Sequence, residues 1–136
     1  MAAVDRHTPT DGLTELVAHL RARQDEALDE MSRALAGTAL CAVGPEGTHH
    51  VKYLEGVSAA LAQVRRTLVT RGRSDSLQDG PGAVVAEIRE QWRATAGTVS
   101  HRSHAWARYV AGALDALDEL AASLPATPRE DVGDSD

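Results

Sequence analysis

Aromatic residues are scarce in this chain of 136 residues, which has two tryptophans, two tyrosines and no phenylalanine. Sheets are usually rich in aromatic and β-branched residues. Here much of the apolar fraction comes from 24 alanines, and alanine is the strongest helix former. The composition therefore excludes a typical β-sandwich or β-barrel, and the length and composition together predict one all-helical domain.

Cysteine and lysine occur once each, as Cys41 and Lys52. A single cysteine excludes a disulfide within the chain and is typical of a reducing compartment. The first residues lack the apolar run of a secretory signal, and no stretch reaches the roughly 18 to 20 apolar residues of a membrane span. We therefore expect a cytoplasmic protein without a membrane span.

Basic residues are outnumbered by acidic ones, 14 to 20, which gives a net charge of −6. Nucleic-acid binders usually carry a basic surface, so nucleic acid is not an expected partner. The segment Gly80-Pro81-Gly82 lacks the lysine of a phosphate-binding loop, and no paired carboxylates stand out from the charged faces. The sequence predicts no catalytic residues and gives no support for an enzyme.

Apolar residues recur at spacings of three and four in four segments, which predict helices over about 11–36, 48–71, 83–96 and 100–124. The sequence Gly44-Pro45-Glu46-Gly47 predicts a turn between the first two. Gly97 permits a break in the last segment but does not require one, so 83–124 forms either two helices or one long helix.

These segments predict one antiparallel helical-bundle domain over 11–124. The flanking residues have little apolar character. We expect a flexible N-terminus over 1–10 and a disordered acidic tail over 125–136.

A short pattern occurs twice, over Lys52 to Gly56 and over Arg108 to Gly112. In order, it consists of a basic residue, a tyrosine, an aliphatic residue, a variable residue and a glycine. Glycine inside a helix is typical of close helix packing. The alignment favours a second turn between Gly97 and His101 and predicts that the second and fourth helices run parallel. Chance similarity between two alanine- and leucine-rich helices is the alternative interpretation.

With so few large residues to fill a core, we expect the monomer's core to be incomplete. The chain is then predicted to self-associate as a homodimer or other homo-oligomer, or to bind a partner protein, through its apolar helix seams. Tryptophan and tyrosine on these seams would dominate such a contact. The predicted interface residues are Trp92, Trp106, Tyr53, Tyr109, Leu61 and Leu117.

Four of the six histidines lie at the starts of two predicted helices: His49, His50, His101 and His104. Parallel helices would place all four at one end of the bundle, and residues three apart on a helix share a face. Imidazoles bind zinc and other transition metals. The alternative prediction is therefore a ligand- or metal-binding bundle, and the other interpretation is that these are exposed histidines without a ligand.

Overall fold

The computed structural model describes residues 9–36, 45–74, 77, 79–99 and 103–124. They form four helices and, within those ranges, no strand: α1 (Pro9–Leu35), α2 (Pro45–Arg73), α3 (Pro81–Val99) and α4 (His104–Ser123). The predicted all-helical bundle is thus confirmed. The segment before residue 9, Cys41, His101 and the tail from residue 125 lie outside the described residues.

Proline is the first residue of three helices, at Pro9, Pro45 and Pro81. Proline fits this position because its fixed φ angle is helical and the N–H it lacks has no partner in the first turn. The helices therefore begin two or three residues before the predicted starts at 11, 48 and 83. The predicted turn over 44–47 is wrong for Pro45 onward, which is helical.

Residues 83–124 form two helices. α3 continues through Gly97 to Val99, beyond the predicted end at 96. Ser103 caps the start of α4, and its side-chain oxygen accepts a hydrogen bond of 3.1 Å from the backbone N–H of Trp106. The start of α4 at His104, four residues after the predicted bound of 100, is set by this serine.

Helices α2 and α4 lie at the centre of the bundle and have the most extensive contact. They run parallel, since His49 near the start of α2 lies beside His104 at the start of α4, and Gly56 lies beside Tyr109 further along. α1 packs mainly on α2 and α3 mainly on α4, each antiparallel to its neighbour. The predicted parallel register of the second and fourth helices is confirmed.

Gly56 and Gly112 allow the backbones of α2 and α4 to touch. A Cβ atom at Gly56 would overlap the carbonyl oxygen of Tyr109, and a Cβ atom at Gly112 would overlap the carbonyl oxygen of Tyr53. The two contacts are reciprocal, as an approximate two-fold relation between the repeated segments requires. Close packing of these glycines, inferred from the sequence, is therefore confirmed.

The core is built from aliphatic residues, and no polar or charged residue is buried within the described ranges. Positions 54, 56, 60, 61 and 64 of α2 are buried, as are the corresponding positions 110, 112, 116, 117 and 120 of α4. Close approach of α2 and α4 at the two glycines lets these small side chains pack against each other, and the incomplete core stays a prediction. The cluster contains Leu20, Ala60, Leu61, Val64, Leu68, Val84, Val85, Ile88, Ala113, Ala116, Leu117 and Leu120.

None of the described helices combines the length and the apolar character that crossing a bilayer requires.

Candidate interaction surface

Three of the four aromatic side chains meet on one side of the bundle: Trp92 of α3, and Trp106 and Tyr109 of α4. The ring centroids of Trp106 and Tyr109 are 5.1 Å apart at an angle of 71°, and those of Trp92 and Tyr109 are 5.6 Å apart at 53°. Tilted and edge-to-face arrangements are favoured for aromatic pairs. These three residues form what we call the aromatic surface, with Tyr109 in contact with both indole rings.

Helix geometry and a hydrogen-bond chain position these rings. Trp106 and Tyr109 are three residues apart and share a face of α4, while antiparallel packing of α3 brings Trp92 onto that face. The indole N–H of Trp92 donates to Oε1 of Gln63 at 3.0 Å, and Nε2 of Gln63 donates to Oε1 of Gln91 at 3.1 Å. The polar edge of Trp92 is thus satisfied within the protein.

Two shallow grooves border the aromatic surface. The lysine groove has a volume of about 370 Å³ and is lined by Lys52, Glu55, Ser103, Ala105, Trp106 and Tyr109. The glutamine groove has a volume of about 290 Å³ and is lined by Gln63, Gln91, Trp92, Thr95, Trp106 and Tyr109. Trp106 and Tyr109 line both grooves, and 38% of Trp106 is exposed. Trp106 is therefore accessible from either groove.

The lysine groove contains an ion pair. Nζ of Lys52 lies 2.9 Å from Oε1 of Glu55, and the two side chains are 42% and 39% exposed. Exposed ion pairs contribute little to stability because water screens both charges. A third charged group can therefore re-pair with either residue at low cost.

Tyr53 occupies the position in α2 that Tyr109 occupies in α4, but its surroundings are polar. Its hydroxyl donates to Oδ2 of Asp115 at 2.6 Å, and Cζ of Arg108 lies 5.1 Å from its ring centroid. The corresponding position for Tyr109 is Ala59, which has no carboxylate to accept a hydrogen bond. The two related tyrosines therefore differ in chemistry, one within a charged network and one between two tryptophans.

The groove beside Tyr53 has a volume of about 190 Å³ and is lined partly by α1. Its charged residues pair with groups of the same chain: Arg23 lies 3.0 Å from Glu119, and Glu30 lies 3.1 Å from His50. Tyr53, predicted as an interface residue, thus lies apart from the aromatic surface, in a groove whose charges already have partners.

The hydrogen bond to Asp115, followed by burial and the charge of that carboxylate, raises the pKa of Tyr53 to about 12. A raised pKa in the folded state contributes stability that is present below pH 10, the ordinary tyrosine pKa, and is lost as the pH rises through about 12. In a Tyr109→Phe background we expect tyrosinate absorption to titrate near pH 12. Adding Asp115→Ala should lower this pKa toward 10, and an unchanged midpoint would contradict the assigned hydrogen bond.

Two of the four predicted metal-binding histidines are adjacent. The ring centroids of His49 and His104 lie 6.1 Å apart where α2 and α4 begin. Nε2 of His50 lies 3.1 Å from a carboxylate oxygen of Glu30 in α1, and His101 is outside the described residues. Within the described ranges no group of three histidine, cysteine or acidic residues could hold a metal ion. The four-histidine site stays a prediction.

Leu61 and Leu117, also predicted as interface residues, are 0% exposed and belong to the core of the monomer. A buried leucine offers no surface to a partner while the bundle is folded. Both leucines lie on the apolar seams that suggested a contact surface, but α2 and α4 pack those seams within one chain. Of the six predicted interface residues, three make up the aromatic surface.

Glu55, Gln63 and Gln91 border the aromatic surface and were not identified from the sequence. Trp106 and Tyr109 are three residues apart, a spacing that places both on one face of a helix. The glutamine pair depends on how α2 and α3 pack, for which the sequence contains no comparable signal.

No protein-family model matches the chain, and the comparisons with curated proteins and with solved structures gave no match.

Proposed function

We propose that this chain is a small helical interaction protein that binds a protein partner, either another protein or a second copy of itself, through the aromatic surface. The observation that carries the proposal is the exposure of Trp106, 38% of which is accessible although the ring packs on Tyr109. Tryptophan and tyrosine are enriched among the residues that dominate binding energy at interfaces. Their rings supply a large contact area with few rotatable bonds.

Among the described residues, Leu28 and Trp106 are the exposed large hydrophobic ones, at 42% and 38%. Single exposed apolar residues are common on soluble proteins and need no functional explanation. Trp106 differs from Leu28 because it belongs to a three-ring cluster with a groove on each side. This arrangement supports a contact site at Trp106.

The core supports the same proposal. The buried core cluster consists of aliphatic residues from all four helices and does not include Trp106. Trp106 is therefore not part of the buried core, and its exposed ring is available for contact with a partner. We also propose a cytoplasmic location, based on the single cysteine, which cell fractionation would test.

Trp106→Ala is expected to weaken partner binding by about 30-fold or more, the effect of removing an interface hot spot. Leu28→Ala is the matched control, since it removes the other exposed large hydrophobic residue and should leave affinity within about twofold. Sedimentation velocity over a concentration series measures self-association. Affinity capture followed by titration of the purified captured protein measures binding to another partner.

Both variants should keep the helical content of the unmodified protein, because each removes a side chain outside the core. Equal affinity of the two variants for the partner would contradict the proposal. A strictly monomeric protein that also captures no partner would contradict it as well.

A second candidate function, transition-metal binding, is favoured by the contact between His49 and His104. Two imidazoles supply two of the roughly four ligands that a structural zinc ion requires. We expect zinc to raise the melting temperature of the metal-free protein, and His49→Ala or His104→Ala to remove that rise. His19→Ala, an exposed histidine of α1, should retain it, and an unmodified protein without any rise would contradict metal binding.

A further inference from the structure

We infer that the partner presents an arginine side chain to the aromatic surface, with its guanidinium against Trp106 and beside Glu55. This inference rests on the proposed function and specifies the chemistry of the partner. It identifies the occupant as a basic segment of another protein, and a second copy of this chain is a distinct outcome of the test.

The chain already contains one such contact, at the related tyrosine. Arg108 lies with its Cζ atom 5.1 Å from the ring centroid of Tyr53, a distance typical of a cation–π interaction. The residue that corresponds to Arg108 is Lys52, which lines the lysine groove with Tyr109. Its ammonium group is paired with Glu55. The protein therefore supplies a guanidinium at Tyr53, whereas none of the residues that line the lysine groove beside Tyr109 is an arginine.

The aromatic surface offers the better ring for a cation. Tryptophan attracts cations more strongly than tyrosine because its ring carries the more negative face. Trp106 is 38% exposed and borders both grooves. A guanidinium is planar and weakly hydrated, so it can stack on a ring and pair with a carboxylate at the same time. An ammonium group, as a compact and strongly hydrated charge, combines these two contacts less well.

Charge complementarity favours a basic partner over a second copy. The chain has a net charge of −6, so two copies repel each other while a basic segment is attracted. Within the lysine groove Glu55 attracts an incoming cation and Lys52 repels it. These two residues, three apart on α2, should therefore have opposite effects on binding.

The probe is a capped peptide of glycine and serine that contains arginine, compared with the same peptide carrying citrulline, a neutral residue of nearly identical shape. Because Trp92 and Trp106 are the only tryptophans and both lie on the aromatic surface, intrinsic fluorescence reports binding there. Calorimetry provides a second measurement that does not depend on Trp106. The arginine peptide should bind roughly tenfold more tightly than the citrulline peptide.

Three variants test the geometry. Trp106→Ala and Glu55→Gln should each weaken binding of the arginine peptide, and Lys52→Met should strengthen it. Leu28→Ala should leave it unchanged, which separates a contact at Trp106 from general attraction to an acidic protein. The opposite signs at Glu55 and Lys52 are not expected of a purely apolar contact.

Equal binding of the arginine and citrulline peptides, or equal binding of the arginine peptide by Trp106→Ala and Leu28→Ala, would overturn the inference. If the arginine peptide does not bind but the chain forms a dimer that Trp106→Ala disrupts, the occupant is a second copy. In that case the inference fails and the proposed function holds. If binding of the peptide, of a second copy and of any captured protein is in each case independent of Trp106, both the inference and the proposed function fail.

Discussion

Replacing Gly56 or Gly112 with alanine is expected to lower the free energy of unfolding by at least about 2 kcal/mol. The added Cβ atom would overlap the carbonyl oxygen of Tyr109 or Tyr53, respectively. These are backbone atoms of a helix, so they cannot rotate away as a flexible side chain would. α2 and α4 would have to separate, which disturbs the core they share. Urea unfolding followed by circular dichroism measures the loss.

Gly97→Ala is the matched control. Gly97 also lies inside a helix, but apart from the neighbouring backbone of α3 itself, no atom of the described residues lies within 4 Å of the position its Cβ would occupy. Alanine is favoured over glycine in a helix by up to about 1 kcal/mol, so this variant should be as stable as the unmodified protein or more so. Similar losses at Gly97 and Gly56 would show that the close contact between α2 and α4 is not what the glycine provides.

The double variant Gly56→Ala with Gly112→Ala tests the reciprocity of the two contacts. Once one substitution has separated the helices, the second meets less resistance. The loss in the double variant should therefore be smaller than the sum of the single losses, as is typical of sites that share a structural response. Additive losses would indicate two independent contacts.

Leu61→Ala and Leu117→Ala are each expected to cost about 2 to 5 kcal/mol of folding free energy. Both leucines are 0% exposed, so truncation removes buried apolar contacts and leaves a cavity at the centre of the bundle. Because the two occupy corresponding positions in α2 and α4, we expect losses of similar size. Leu28→Ala, at an exposed position, should change the stability by less than about 0.5 kcal/mol.

The same experiment separates a core role from an interface role. If Leu61 and Leu117 stabilise the monomer, the folding free energy lost on truncation to alanine is independent of protein concentration. If they formed an oligomer interface, the apparent stability of the unmodified protein would rise with concentration and the variants would lack that rise. A concentration-dependent loss would contradict their assignment to the monomer core.

The sequence was sufficient for the helical class and for the relation between the two central helices. Apolar spacing identified four helical segments, and the repeated tyrosine and glycine pattern predicted that α2 and α4 run parallel. The sequence was insufficient for the helix starts. The segment Gly44 to Gly47 has the composition of a turn, yet Pro45 within it begins α2. The sequence also left the break after Gly97 open, because the deciding feature is a single hydrogen bond, which the side chain of the capping residue Ser103 accepts from the backbone N–H of Trp106.

The interface prediction was limited for a physical reason. An apolar seam has the same sequence pattern whether it packs within one chain or between two, so Leu61 and Leu117 could not be assigned to the core in advance. Glycine decides this case, since backbone contact at Gly56 draws the seams together in the monomer. The grouping of Trp92 with Trp106 depends on how α3 docks against α4, which no local pattern encodes.

The most direct test of the central claim, that the aromatic surface is where a partner binds, is acrylamide quenching of tryptophan fluorescence in the free protein and in its complex. Trp92 and Trp106 are the only tryptophans of this chain and both lie on that surface, so they are the only reporters in a complex with a second copy or with a partner that lacks tryptophan. Quenching of the free protein should be strong, because 38% of Trp106 is exposed, and should fall markedly in the complex, whether the partner is another protein or a second copy. A complex in which quenching is unchanged would contradict the claim.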